Sequence, residues 1–198
     1  MKKNIIPFFL CLLLLLPCGN ASGILMTLSE EDMAEAVATG KKQGSRITTY
    51  LKQHYRFGNK DVFAENGIIR TKWSKLALLS GLLAAKGSGL TDHKKDRITK
   101  STELQIDIHT FGDTIDFADS YRVLLKQKNK TIEPDKYSIN HATFFFRKRT
   151  ARSGFPKYRA TISSHIPYGR IRPNDKAEII LIKEGKKKVF EIDFALYK

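Results

Sequence analysis

Cysteine is nearly absent. The 198-residue chain has two, Cys11 and Cys18, and both fall within the first twenty residues. A disulfide-rich scaffold is excluded, and the rest of the chain has no cysteine nucleophile. Acidic residues are also scarce, with 20 Asp plus Glu against 35 Lys plus Arg and a formal charge of +15. Past residue 16 no apolar run is long enough to cross a bilayer. There is no Gly-x-Ser-x-Gly elbow and no Walker loop; Gly87-Ser88-Gly89 closes a helical stretch instead of opening one. None of the five histidines, His54, His93, His109, His141 and His165, stands four residues from another, as a zinc-binding helix requires. No internal repeat or low-complexity tract is present. What remains is 41% apolar and 10% aromatic, the balance of a globular protein. The length allows one domain or two small ones and excludes a large multidomain enzyme.

The first twenty residues differ from the rest. Lys2 and Lys3 precede an apolar run from Ile5 to Leu16, and small residues follow at Gly19, Ala21 and Ser22. This is the three-part pattern of a secretory signal peptide. As a helix the run spans roughly 18 Å, short of the roughly 30 Å hydrocarbon core. The stretch Leu15-Leu16-Pro17-Cys18-Gly19-Asn20 resembles the bacterial lipoprotein box, whose cysteine is lipidated and becomes the new N-terminus. Pro17 departs from it, since the family has Gly, Ala or Ser there. The resemblance implies lipidation at Cys18; the competing reading is cleavage after Ala21. Either route removes the apolar run and leaves roughly 177 to 181 residues, enough to bury a core without disulfides. The expected location is outside the cytosol: anchored in the cell envelope, periplasmic or secreted.

Residues 24–90 read as a helical segment. Thr27-Leu28-Ser29-Glu30 fits a capping box, and Glu30, Glu31, Asp32 and Glu35 crowd the first turns, where the helix dipole favours negative charge. Gly40 and Gly44 end or kink that helix. Ile47, Tyr50, Leu51, His54 and Tyr55 continue at helical spacing, and Arg56-Phe57-Gly58-Asn59 is a stop. A third helix carries Trp73, Leu76, Ala77, Leu83 and Ala84 on one face and Leu78, Leu82 and Ala85 on another, the pattern of a buried helix. Thr91 to Lys100 is a linker or a short capped helix.

Over residues 101–198 the period changes to two. Leu104, Ile106 and Ile108 alternate with Gln105, Asp107 and His109. Further runs lie at 115–117, 121–126, 143–147, 158–164, 177–183 and 189–196, separated by turn residues such as Glu133-Pro134-Asp135 and Glu184-Gly185. The expected fold is α+β, an N-terminal helical segment followed by a C-terminal antiparallel β-sandwich.

Two constellations bear on catalysis. Asp107 and His109 share one face of a strand, and Asp113, Asp116 and Asp119 form an acidic cluster whose spacing matches no EF-hand loop. A secreted hydrolase assembled from these groups is one alternative; solvated strand polarity and a charged loop are the plainer account. No metal and no cofactor are expected.

The basic surface is the strongest signal. Residues 101–140 carry 5 Lys or Arg against 7 acids, whereas 141–198 carry 14 against 5. The candidate anion-binding set is Arg147, Lys148, Arg149, Arg152, Lys157, Arg159, Arg170, Arg172, Lys186, Lys187 and Lys188, interleaved with Phe144 to Phe146, Phe155, Tyr158 and Tyr168. Basic residues among aromatics also suit nucleic acid, but an exported protein meets other polyanions. The expected partner is therefore an anionic envelope component (lipid headgroup, lipopolysaccharide or wall polymer) or an envelope protein. Lysines that guard exposed strand edges and maintain solubility give the non-binding account. The resulting expectation is a non-enzymatic binding or structural module, with an accessory subunit of an envelope assembly as a further alternative.

Overall fold

The structure, a computed structural model, describes residues 23–61, 64–144 and 156–198, without the side chains of 141–144. Cys18, Arg147, Lys148, Arg149 and Arg152 lie outside the described residues. So do the turn expected at Ser153-Gly154 and the aromatic residues Phe145, Phe146 and Phe155.

The chain is α+β. Helix α1 (Glu30–Gln43) passes through a single 3-10 turn, Gly44–Arg46, into α2 (Ile47–Tyr55). The capping box sits two residues later than expected. Ser29 Oγ accepts from the Asp32 amide at 3.1 Å, and the Asp32 carboxylate accepts from the Ser29 amide at 3.0 Å. Packing decides between the two registers: Leu28 before the cap and Met33 at the fourth helical position both join the core, the arrangement of a hydrophobic staple. Helix α3 (Lys72–Ala84) starts at Thr71, whose hydroxyl accepts from the Ser74 amide at 3.1 Å. The Thr91 to Lys100 stretch contains a short helix, α4 (Asp92–Thr99).

Nine strands form two antiparallel sheets among the described residues. The first runs in the order β1 (Arg56–Gly58), β2 (Asn66–Arg70), β3 (Glu103–Gly112), β7 (Tyr158–Pro167), β6 (Lys136–Phe144). The second runs β5 (Lys130–Ile132), β4 (Tyr121–Gln127), β8 (Lys176–Lys183), β9 (Lys186–Asp193). Thus the stretch read as helical also supplies two strands. β2 has no alternation because Ile68 and Ile69 are both buried, one on each face. Residues 115–117, expected as a strand, are part of the turn between β3 and β4. There the Phe117 ring lies so close over Gly112 that a Cβ at that glycine would meet it. Strand β6 begins at Lys136, before the expected 143–147.

One cluster of buried side chains runs from Ile24 to Tyr197 and draws on helices and both sheets. Leu104, Ile106 and Ile108 of β3 and Ile162 and Ile166 of β7 are fully buried, as are Leu125 of β4 and Ile179 of β8. In the β8–β9 hairpin the inward residues are Ile179 and Leu181, and Val189 faces out at 49% exposure. Helices α1 and α3 touch through small residues: Ser80 Oγ donates to the Val37 carbonyl at 3.1 Å, and Gly40 and Gly81 allow close backbone approach.

That crossing gives a stability test. A Cβ at Gly40 would lie 2.8 Å from Ser80 Cβ and 2.9 Å from the Gly81 amide. Overpacking outweighs the helix-propensity gain of roughly 1 kcal/mol, so Gly40→Ala is expected to destabilise by about 1–2 kcal/mol in urea unfolding. Gly89→Ala, with open space around it, is expected to stay within about 0.5 kcal/mol of the parent.

Candidate functional site

The β3–β7 register fixes the polar side of the five-stranded sheet. Asp107 pairs with Ile68 on β2 and Ser163 on β7, and His109 pairs with Asn66 and Thr161. Side chains alternate across a strand, so Glu103, Gln105, Asp107, His109 and Phe111 share the face opposite the core. Helices α2 and α3 flank this face and close it from water in part, which the strand pattern alone does not reveal.

Charge changes along this face. At one end, Glu103 pairs with Lys136 at 2.8 Å and with His165 Nδ1 at 3.3 Å. In the middle, Asp107 is 5% exposed and accepts from Arg70 Nε at 2.8 Å, Gln105 Nε2 at 2.7 Å and Ser163 Oγ at 2.7 Å. Burial alone would raise its carboxyl, but these donors and the Arg70 charge outweigh burial and hold it below the ordinary carboxylate range.

The other end carries positive charge. His109 Nδ1 lies 3.0 Å from Thr161 Oγ1 and 3.3 Å from Arg159 Nη2. Arginine can only donate, so Nδ1 presents its lone pair and the ring is the neutral tautomer protonated at Nε2. Burial, then the Arg159 charge, pushes the imidazole down to about 4, with Asp107 opposing and Lys52 and Arg70 adding to the fall. His109 and Arg159 line a cavity of about 160 Å³ together with Lys52, Arg56, Lys60 and Asn66, and Ile68 and Phe111 supply its apolar part. Among the described residues no carboxylate lines it.

The candidate residues from the sequence fall into separate places. Arg159 is in this cavity. Lys157 is exposed just ahead of β7. Lys186 and Lys187 are exposed on β9 opposite Lys183 and Ile182, while Lys188 pairs with Glu65 at 2.6 Å. Arg170 and Arg172 sit at the far end of the second sheet. Arg170 binds Asp135 at 2.6 Å, and Arg172 shares Asp175 with Lys128.

Asp107 and His109 are neighbours on one face but line different cavities, Asp107 facing a groove beside α3. Asp113, Asp116 and Asp119 are exposed in the β3–β4 turn and line neither. Among the described residues no three His, Cys, Asp or Glu side chains gather as metal ligands. Helix α3, expected to be buried all round, leaves Leu82 42% exposed above that groove. The other exposed large apolar side chains, Ile115, Tyr137, Val189 and Leu196, are spread over separate elements.

Lys52, Arg56 and Lys60 were missed as partners of Arg159. They recur every fourth residue, a spacing visible in the sequence, but the helix ends at Tyr55 and only the β1 turn carries Lys60 back to the cavity.

Two pH tests follow. The His109 value in the fold lies below its ordinary 6.5. Its contribution is therefore complete above pH 6.5, declines as pH falls toward 4, and is gone below. His109→Gln is expected to flatten the stability profile over that interval by about 3 kcal/mol relative to the parent, read by urea unfolding at each pH. Asp107→Asn leaves Arg70 with a half-buried charge and is expected to lose about 2–4 kcal/mol at pH 7. That difference should shrink as pH falls through the folded Asp107 value, below the ordinary 3.8.

No protein-family model matches the chain, and no match to a curated protein reaches significance.

Proposed function

We propose that the protein is an exported cell-envelope component, matured at Cys18 as a small lipoprotein, that acts as a non-enzymatic binding module for anionic envelope material. In this reading the two sheets pack as a β-sandwich. Both contribute inward side chains to one core, and Phe57 of β1 meets Phe190 of β9 edge-on at 5.4 Å between ring centres.

The observation that carries the reading is the gathering of cations at one end of the two sheets. Lys188 reaches Glu65, next to Asn66, which pairs with His109; this brings the β8–β9 hairpin beside the Arg159 cavity. Arg56, Lys60, Arg159, Lys183, Lys186 and Lys187 thus come from three separate stretches of chain to one region. A lysine near an anionic membrane surface contributes about 1 kcal/mol, so a group of this size suffices for salt-sensitive association.

The test is co-sedimentation with phosphatidylglycerol-containing vesicles against pure phosphatidylcholine. Binding is expected only to the anionic vesicles and to weaken steeply with salt. The double variant Lys186→Gln, Lys187→Gln, on exposed strand positions, is expected to bind roughly thirtyfold less tightly. Binding indifferent to salt and to both substitutions refutes the reading. Mass spectrometry of the mature N-terminus is expected to find a diacylglyceryl group on Cys18; a free Ser22 terminus refutes the anchor.

A further inference from the structure

Across the described surface, some cations are matched by carboxylates. Lys126 meets Glu178 at 3.1 Å, Lys128 meets Asp175 at 3.2 Å, Arg170 meets Asp135 and Lys188 meets Glu65. The cavity beside His109 gathers cations of the other kind on one concave wall. Four cationic side chains, Lys52, Arg56, Lys60 and Arg159, line it without a carboxylate. Among the described residues no carboxylate stands within ion-pair distance of Lys52 or Arg159. One guanidinium nitrogen of Arg56 donates to the Asn59 carbonyl, which fixes the side chain, while its Nε is buried with no partner among the described residues. A buried donor without an acceptor costs about 1–3 kcal/mol, and like charges on one small wall repel. The repulsion falls if an anion enters.

The wall also has the chemistry of a particular anion. Two guanidinium groups offer paired N–H donors that match the oxygens of a tetrahedral oxyanion, and two ammonium groups add compact charge. His109, engaged at Nδ1, keeps its proton on Nε2 and so brings one more donor to the lining without adding a charge. A cavity of about 160 Å³ has room for one such group and little more. Ile68 and Phe111 give the remainder of the wall an apolar character suited to the ester side of a phosphate and not to a second charge.

We propose that the cavity formed by Lys52, Arg56, Lys60, Arg159 and His109 is a binding site for a single phosphate group, carried on a soluble phosphate ester or on a phospholipid headgroup. The assignment rests on the reading of the protein as a binder of anionic envelope material and names the group it recognises.

Anion entry also leaves a signature in the histidine. The charged groups that act on His109 are Arg159 from β7, Lys52 from α2, Arg70 from β2 and Asp107 from its own strand. Arg56 and Lys60 share its cavity. A bound phosphate offsets the surrounding positive charge and raises the pH at which the ring protonates.

The experiment is a titration of the mature chain with inorganic phosphate at constant ionic strength, balanced with chloride, followed by histidine side-chain NMR. A saturable shift of the His109 resonances, with an upward move of its protonation midpoint, is expected. Lys52→Gln, at an exposed helix position, and Arg159→Gln are each expected to weaken phosphate binding about tenfold. Lys86→Gln, exposed just after α3 and outside the cavity, should leave it unchanged.

Absence of a saturable His109 shift, an equal response to chloride, or Lys52→Gln binding within twofold of the parent each overturns the assignment. Vesicles containing phosphatidic acid separate the two sources. If phosphate competes with them and Lys52→Gln loses them, the group is a lipid headgroup. If phosphate binds the cavity but vesicle association ignores Lys52→Gln, the group comes on a soluble ester. Salt-sensitive vesicle binding without a phosphate response refutes the cavity and leaves the envelope reading standing. A phosphate response without vesicle binding supports the cavity and refutes the membrane-surface form of that reading.

Discussion

The ten-residue pairing of β3 with β7 is the constraint on which the rest depends. It runs without a break from Glu103 opposite Pro167 to Gly112 opposite Tyr158. Because successive side chains alternate, placing Leu104, Ile106 and Ile108 in the core forces Gln105, Asp107 and His109 to the other side. On an open sheet that side would be solvated. Here α2 and α3 flank it, so Asp107 is buried, and an ionised carboxylate in that position requires partners. Arg70 answers from the last residue of β2, directly before the Thr71 cap of α3. The same contact that neutralises the carboxylate therefore also fixes where α3 leaves the sheet. A register slip of one residue would carry Asp107 into the core and lose both.

From that centre the face divides by charge. Toward Glu103, cations and carboxylates are paired side by side. Toward His109, the cations come from α2, the β1 turn and β7, with no acid among them. The two ends share a sheet, a ladder and a solvent exposure of the same order, so desolvation alone does not explain the difference. What differs is which loops arrive. Glu65 could have served the cationic end by its position at the start of β2, but Lys188 holds it from the neighbouring sheet. The sheet-to-sheet contact thus engages one carboxylate that stands beside the cavity-lining Asn66.

This division marks where the sequence is informative. β3 was legible because its outer residues are polar and its inner ones aliphatic, and the β8–β9 hairpin because Glu184-Gly185 supplies two positive-φ positions between alternating runs. β2 was not, since helices cover its outer face and Ile68 can be as apolar as Ile69. The N-terminal part of β6 was missed because, as an edge strand, Lys136-Tyr137-Ser138 needs little hydrophobic signal. In the site, Asp107 and His109 were correctly placed on one face, but their burial is a tertiary effect of α2 and α3. Arg159 was recognisable as a cation; that its companions are Lys52, Arg56 and Lys60, a hundred residues away, follows only from the β2–β3–β7 pairing.

The start of the described chain bears on how such a site would meet its target. The Ile24 amide donates to the Pro173 carbonyl at 3.0 Å, and Gly23 packs so closely on Pro173 and Asn174 that no side chain would fit. The chain is thus tied to the turn that opens β8 at Lys176. Strand β8 then runs eight residues, about 26 Å, to Lys183 at the cationic end. In the lipoprotein reading, the five residues from Cys18 to Gly23 reach at most about 18 Å. The anchoring bilayer would lie against the Pro173 end, and the His109 cavity would open at the end pointing away from it. A lipidated form would then hold its phosphate site toward the opposing surface or the space between, where a headgroup of its own membrane cannot compete. A form cleaved after Ala21 would have no such bias. In the lipoprotein reading, anchor and proposed binding site would be coupled by geometry.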